Sequence, residues 1–156
     1  EHLTFEEVEA RALDLAQTID AAKDSPWPIL YQSLDAAFPG SKFIHVTRDP
    51  EKWIASAVKD FGTYPNAMRQ LIYGSPYPVG HEEAWVARYN QHNAGVAAYF
   101  ADRPQDYLHL RLEDGVSFEA VCGFLGEPLV GTGVPKANTR LKKQLKMIWW
   151  KVMGRT

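Results

Sequence analysis

The chain has 156 residues, 46% of them hydrophobic and 23% charged, with a formal net charge of −2 at pH 7. This is the composition of one globular domain that buries a core without disulfides, and it shows no overall preference for nucleic acid. The single cysteine, Cys122, excludes an internal disulfide framework and fits a reducing compartment. No stretch approaches the roughly 18 apolar residues of a transmembrane helix, and the first residues lack a signal-peptide pattern, so we expect a soluble, cytoplasmic protein.

Hydrophobic spacing, helix caps and turn residues divide the chain into helices and short strands. Helices are predicted over residues 4–17, 27–38, 50–61, 64–73, 82–100, 118–125 and 141–152. Runs of apolar and β-branched residues predict strands over 42–47 and 107–112, and the short stretch 18–22 could be extended as well. Because helices separate the strands, we expect an α/β fold: a three-layer sandwich whose central parallel sheet is covered on both faces.

The stretch KFIHVTRDPEKWIAS, residues 42–56, contains the first candidate site. Ligands of parallel sheets bind at the carboxyl ends of the strands, where Arg48 lies. The helix that follows has a predicted core stripe of Ile54, Val58 and Phe61. Ser56 lies nearly opposite this stripe, so it faces solvent or a ligand, and with Arg48 it could bracket a phosphate beside the helix start. The alternative is that Ser56 is simply solvated and that Arg48 pairs with a neighbouring carboxylate, Asp49 or Glu51.

This stretch resembles the 3′-phosphate-binding motif of the sulfotransferase family, in which an Arg at a strand end and a Ser eight residues later hold the 3′-phosphate of 3′-phosphoadenosine-5′-phosphosulfate (PAPS). Other segments are similar to family patterns in the same order: KDSPWPILYQSLDAAFPGSKFI, RYNQHNAGVAAYF, LHLRLEDGVSFEAVCGFLGEPL and VPKANT. The resemblance spans residues 18–140. It implies a P-loop-NTPase-like sulfotransferase fold, with residues 1–156 as a single sulfotransferase-like domain that moves a sulfuryl group from PAPS to a hydroxyl or amine acceptor.

The resemblance also implies that Asn138 and Arg140 belong to a loop that closes over the nucleotide, although solvation of a helix is a competing account for Arg140. Family members begin with a strand and a Gly-rich turn that wraps the 5′-phosphosulfate, whereas here no glycine precedes Gly40. We therefore expect this chain to be the C-terminal portion of the domain or, alternatively, a homologue that has lost the turn. The rival function is a non-catalytic nucleotide-binding or protein-interaction module on the same scaffold.

Sulfuryl transfer needs a base that takes the proton of the acceptor, and the candidate is Asp24, with Lys23 stabilising bridging or leaving-group oxygens. We expect Asp24 at the end of a strand next to that of Arg48, where the family has His or Glu. An ordinary aspartate is a poor base, so this role requires burial near Pro26 and Trp27. The competing interpretations are that Asp24 caps the helix starting at Trp27 and that Lys23 is a surface lysine.

The five histidines show no metal-ligand spacing, so no metal is expected. His45 is predicted to be a hydrogen-bonded core residue and Cys122 part of the core. For His92 we expect a structural role, and the resemblance leaves a place in the acceptor site as the alternative. The acceptor could be a small molecule, a glycan or a lipid, and the residues do not identify it.

Residues 140–156 are predicted to form a basic amphipathic C-terminal helix. No acidic residue follows Glu127, whereas seven basic ones do. Such a helix can dock on its own domain, lie on an anionic membrane surface or pack on a partner.

Overall fold

The computed structural model describes residues 3–129, which fall into two compact units divided between Gly115 and Val116. The helices of the first unit are α1 (Phe5–Ala16), α2 (Tyr31–Ala37), α3 (Pro50–Phe61), α4 (Ala67–Tyr73) and α5 (Glu82–Tyr99), with single 3₁₀ turns at Trp27–Leu30 and Leu112–Asp114. The strands described in this unit are β1 (Phe43–Thr47) and β2 (Tyr107–Arg111). They pair in parallel, with Phe43 opposite Tyr107 and Thr47 opposite Arg111.

The predicted helix starts of α1 and α3 are confirmed, because both are fixed by local hydrogen bonds. The Thr4 hydroxyl accepts from the Glu7 N–H, and the Glu7 carboxylate accepts from the Thr4 N–H, which completes the capping box of α1. At the start of α3, the Asp49 carboxylate accepts from the Lys52 N–H at 3.0 Å. Helix α3 begins and ends at the predicted residues.

The predicted α/β class and the parallel pairing of the strands are confirmed, whereas the three-layer sandwich stays a prediction. The suggestion of an extended segment over residues 18–22 is wrong, since that stretch forms no strand. Its two β-branched residues, Thr18 and Ile19, are adjacent and do not alternate with polar ones. Both the N–H and the hydroxyl of Thr18 donate to the Leu15 carbonyl, at 3.0 and 2.8 Å, so the chain turns back onto the end of α1.

The core of the first unit contains a stack of four aromatic rings, which we call the aromatic stack: Tyr73 of α4, Trp53 of α3, and Trp85 and Tyr89 of α5. Trp85 is fully buried, and its ring stacks on that of Tyr73 with centroids 4.0 Å apart. Trp53 lies 6.3 Å from Trp85 and stacks on Tyr89 at 4.2 Å. The indole N–H of Trp85 donates to the buried Ser75 hydroxyl at 2.7 Å. These contacts hold α3 and α4 against α5.

The buried face of α3 is rotated from the predicted stripe by about one residue. Ala57 is buried and Trp53 packs in the aromatic stack, whereas Phe61 is 38% exposed and carries the Arg69 guanidinium over its ring at 4.2 Å. Ser56 is half-buried. Ser56 is therefore next to the buried residue Ala57, and it is not turned as fully away from the core as the predicted stripe implied.

His45 on β1 is a hydrogen-bonded, half-buried residue, as predicted. Its Nε2 lies 2.9 Å from Asn93 Oδ1, and its Nδ1 lies 2.7 Å from the Tyr107 hydroxyl. An amide oxygen only accepts, so Nε2 carries the hydrogen and Nδ1 accepts from Tyr107. Burial lowers the pKa of His45, the bond to Asn93 opposes that shift, and the charge of His109 adds to it. His45 therefore joins β1 to α5 and β2 as a neutral imidazole.

The described part of the second unit consists of α6 (Phe118–Leu125) and the residues around it. The Ser117 hydroxyl accepts from the Ala120 N–H at 3.1 Å and begins the helix, and Gly126, at φ 73°, ends it in the left-handed conformation that favours glycine. Cys122 is buried, as predicted for a core residue. The predicted helix over 140–156 and most of the loop before it lie outside the described residues.

Candidate functional site

Arg48 and Ser56, the two residues proposed to hold a phosphate, are in direct contact. Arg48 directly follows β1, and Ser56 lies in the second turn of α3. The Arg48 Nη1–H donates to Ser56 Oγ at 2.7 Å, and both residues are half-buried. Among residues 3–129, no carboxylate forms an ion pair with Arg48, so the alternative of a pair with Asp49 or Glu51 is not found. The Ser56 hydroxyl accepts from the guanidinium, which leaves its own hydrogen to donate to an anion.

The main chain of Arg48 is held by Tyr89, a residue whose role the sequence did not reveal. The Arg48 N–H donates to the Tyr89 hydroxyl at 2.8 Å, and the same hydroxyl donates to the Arg48 carbonyl at 3.0 Å. The ring of Tyr89 is fixed by its stacking on Trp53. Both main-chain groups of Arg48 are thus paired within the fold, which fixes the point from which its side chain extends to Ser56.

The start of α3 is occupied by its own cap. The Asp49 carboxylate takes the Lys52 N–H, and the Asp49 N–H donates to Glu113 Oε1 at 3.1 Å, in the 3₁₀ turn after β2. This hydrogen bond is the main reason that the pKa of Glu113 is lowered. The loops that follow the two parallel strands are therefore tied together. An anion at this edge of the sheet would be bound mainly by side chains, and less by the helix N–H groups that the sequence suggested.

The face of α3 that carries Ser56 is basic. Lys52, Ser56 and Lys59 follow the i, i+4, i+7 spacing of one helix face, and both lysines are exposed. The two lysines thus add two positive charges to the helix face that carries Ser56, the residue that Arg48 contacts. This charge would raise the local concentration of a phosphorylated ligand.

Lys23 and Asp24 have a different environment from the one predicted. Their side chains are 91% and 84% exposed, and Lys23 Nζ lies 3.9 Å from Asp24 Oδ2. The described residues before them, 3–22, contain no strand, and the burial expected to make Asp24 a base is absent. Asp24 does not cap the following helix either: the 3₁₀ turn starts after Pro26 without a side-chain cap hydrogen bond, and the Trp27 N–H donates to the main-chain carbonyl of Asp24 at 3.1 Å. Asp24 adopts a positive φ of 65°, which Asp tolerates better than most residues.

The remaining nucleotide-binding candidates, Asn138 and Arg140, lie outside the described residues. Within residues 3–129, no group of three or more His, Cys, Asp or Glu side chains is arranged to hold a metal ion. In the same part of the chain, no helix combines the length and the apolar character needed to cross a membrane.

A cavity of about 80 Å³ lies beside this site, and its walls include Ser25, Arg88, Tyr89 and His92. Burial, with smaller contributions from the charges of His45 and Arg88, lowers the pKa of His92 to about 4. Its imidazole is therefore neutral at pH 7. The resemblance offered a place in the acceptor site as an alternative for His92, but no local pattern predicted the cavity itself, because the residues facing it come from distant segments.

Comparison with protein families gives a match to the sulfotransferase domain over two overlapping segments, residues 5–73 and 58–142. These segments include all six candidate residues and the cavity walls. A search of the curated proteins found no match to this chain.

Proposed function

Because the chain belongs to the sulfotransferase family, we propose that it takes PAPS as the sulfuryl donor and transfers the sulfuryl group to a hydroxyl or amine acceptor. The observation that carries the proposal is the 2.7 Å contact between Arg48 Nη1 and Ser56 Oγ at the carboxyl end of β1. In this proposal the two side chains bind the 3′-phosphate of the donor. Asn138 and Arg140 are proposed to complete the nucleotide site from the sequence resemblance alone.

The chemistry of the donor set fits a doubly charged phosphate. A guanidinium carries five N–H donors, and only one bond from the Arg48 side chain, to Ser56, is seen among the described residues. The hydroxyl of Ser56 adds a further donor whose direction is set by that bond. Since Tyr89 already holds the Arg48 main chain, little side-chain and backbone freedom remains to be lost on binding.

In the transfer itself, the donor supplies the sulfuryl group, the bond from sulfur to the 5′-phosphate oxygen breaks, and a bond from sulfur to the acceptor atom forms. We assign the acceptor proton to the Asp24 carboxylate and the stabilisation of the leaving oxygens to Lys23. Both side chains are exposed, so these roles require that the bound donor and acceptor displace the water around them.

The test is calorimetric titration of the chain with adenosine 3′,5′-bisphosphate, which retains the 3′-phosphate and lacks the sulfuryl group. We expect Arg48→Ala to weaken binding by about 1.5–3 kcal/mol, the scale of hydrogen bonds to charged groups. Adenosine 5′-phosphate should bind the unaltered chain more weakly, with little sensitivity to Arg48→Ala.

Arg11→Ala is the matched control, because Arg11 is an exposed arginine on α1. It removes the same charge and should leave affinity unchanged. Equal affinity for the two nucleotides, or equal effects of the two substitutions, would contradict a 3′-phosphate site at Arg48.

A further inference from the structure

The cavity beside Ser25 has the dimensions of a site for a small organic molecule. Its volume is about 80 Å³, roughly half of the ~150 Å³ apolar cavity that holds benzene. Ile29 and Ile72 provide apolar walls, and Tyr73 and His92 provide polar groups. Such a space takes one end of a small molecule, a carboxylate and the first carbons of a short aliphatic chain, whereas a nucleotide does not fit.

Arg88 in the wall of the cavity is a cation whose described hydrogen bond to the protein comes from its Nε–H. Its Nε–H donates to the Ile72 carbonyl at 3.2 Å. Among residues 3–129, no carboxylate lies within ion-pair distance of its guanidinium. The two terminal nitrogens form a parallel pair of donors, which matches the two oxygens of a carboxylate.

The cavity has an unbalanced positive charge at neutral pH. His92 is uncharged there, since its pKa is lowered to about 4. Burial raises the pKa of the Tyr73 phenol, so this group also stays neutral. Arg88 is therefore the one formal charge among the described residues that form the walls, and Arg88 is half-buried. A ligand that carries an anionic group would be favoured over a neutral ligand of the same size.

The position of the cavity relates it to both parts of the proposed active site. Ser25, in its wall, is the residue directly after Asp24. Tyr89, also in its wall, holds the main chain of Arg48 through its hydroxyl. A molecule in the cavity would therefore be in contact with the neighbours of the candidate base and of the phosphate-binding arginine.

We propose that this cavity binds the acceptor, and that the acceptor is a small carboxylate with a short aliphatic chain carrying the hydroxyl or amine that receives the sulfuryl group. The Arg88 guanidinium binds the carboxylate, and Ile29 and Ile72 contact the chain. This inference rests on the proposed function, because it assigns the acceptor of that same reaction.

The test uses 4-hydroxybutyrate as the probe and 1,4-butanediol as its uncharged counterpart of equal length. Both are titrated into the ¹⁵N-labelled chain, and binding is followed by NMR at the Arg88 Nε–H and the His92 ring. We expect 4-hydroxybutyrate to bind about tenfold more tightly than the diol, as a charge-assisted pair would give. Arg88→Met keeps the aliphatic stem and should reduce this preference to about twofold or less.

Two further variants test whether binding depends on this cavity or on positive charge elsewhere on the protein. Arg69→Met is the matched control, because Arg69 also donates to a main-chain carbonyl, that of Tyr64, but lies outside the cavity walls; it should keep the full preference. Ile29→Phe fills the cavity and should weaken both probes. Retained chemical-shift dispersion would show that each variant is folded.

Equal binding of the two probes, or an equal loss with Arg69→Met, would overturn the inference. So would inorganic phosphate displacing 4-hydroxybutyrate at equal concentration, because the cavity would then be a general anion site. If adenosine 3′,5′-bisphosphate binds as expected and 4-hydroxybutyrate does not, this inference fails while the proposed function stands. If only 4-hydroxybutyrate binds, the proposed function fails and the acceptor role fails with it.

Discussion

Two stretches of the sequence were candidates for the chemistry, and the structure surrounds them very differently. Arg48 contacts Ser56 through its side chain and Tyr89 through both main-chain groups, and Tyr89 in turn packs in the aromatic stack. The side chains of Lys23 and Asp24 are exposed, and the contact described between them is an ion pair at 3.9 Å. The first region is organised before any ligand arrives, whereas the second depends on what binds next to it.

This difference agrees with the demands of the two tasks. Binding a phosphate requires hydrogen-bond donors at fixed positions. Packing of the folded protein fixes these positions before the phosphate binds. A base acts only during the reaction, when substrates surround it and exclude water. The comparison therefore predicts that substitutions in the Arg48 region change stability and donor affinity, and that removing only the charges of Lys23 or Asp24, without straining the backbone, changes neither.

The largest effect on stability is expected from a substitution in the aromatic stack, which packs against the Arg48 region through Tyr89. Trp85→Ala should reduce the free energy of unfolding by about 3–5 kcal/mol, because it leaves a cavity in the aromatic stack and leaves the buried Ser75 hydroxyl without its indole donor. Urea unfolding measures this loss. Tyr64→Ala is the matched control: Tyr64 is 80% exposed, so its loss should stay within about 0.5 kcal/mol.

If Trp85→Ala does not fold, Trp85→Phe keeps most of the ring volume and loses the hydrogen bond to Ser75. We then expect a smaller loss, of about 1–3 kcal/mol. A change below the error of the measurement in Trp85→Phe would contradict a stabilising role for the hydrogen bond from Trp85 to Ser75.

The intermediate effect is expected at Tyr89, which we expect to influence nucleotide binding through its contacts with the Arg48 main chain. Tyr89→Phe keeps the ring on Trp53 and removes the hydroxyl that pairs with the Arg48 N–H and carbonyl. We expect adenosine 3′,5′-bisphosphate to bind about five- to tenfold more weakly, which is about 1 kcal/mol for a net hydrogen bond. Calorimetry measures the change, with Tyr64→Phe as the matched control.

A double-mutant cycle distinguishes positioning from a general loss of stability. If Tyr89 acts through Arg48, then Tyr89→Phe should weaken nucleotide binding little or not at all once Arg48→Ala is present. Additive losses in the double variant would show that Tyr89 influences binding by another route, and the description of Tyr89 as a positioning residue would be wrong.

The sequence predicted the features that depend on neighbours along the chain. Asp49-Pro50 at one end and Gly62 at the other define α3, and the helical repeat then brings Ser56 within reach of Arg48. The resemblance to sulfotransferases identified the same pair, and the family comparison confirms the family. Local capping and helix geometry were sufficient for these predictions.

Features that depend on distant residues were missed or wrong. Tyr89 is 41 positions from Arg48, and helical spacing shows that its ring is packed but not where its hydroxyl bonds. We suggested that residues 18–22 could be extended, whereas the N–H and the hydroxyl of Thr18 both return to the Leu15 carbonyl of α1. The exposure of Asp24 likewise follows from which segments pack around it, which a single sequence does not encode in any local pattern.

The smallest effect on stability is expected at Asp24, which belongs to the exposed stretch of the comparison. Asp24→Asn should change the free energy of unfolding by less than about 0.5 kcal/mol, because the side chain is exposed and Asn tolerates the positive φ of 65°. Asp24→Ala should cost about 1 kcal/mol more, since an alanine is strained in that conformation. The difference between the two variants separates backbone strain from any lost side-chain contact.

Nucleotide affinity should change less than about twofold in Asp24→Asn, since this region makes no contact that positions Arg48. A turnover assay with donor and acceptor then isolates the chemical role: a base at this position predicts a loss of about a hundredfold or more with stability and donor affinity intact. A large loss of stability in Asp24→Asn would mean that the exposed stretch is organised after all. Unchanged turnover would remove Asp24 as the base and leave the phosphate site standing, because Arg48 and Ser56 are held by contacts in which Asp24 takes no part.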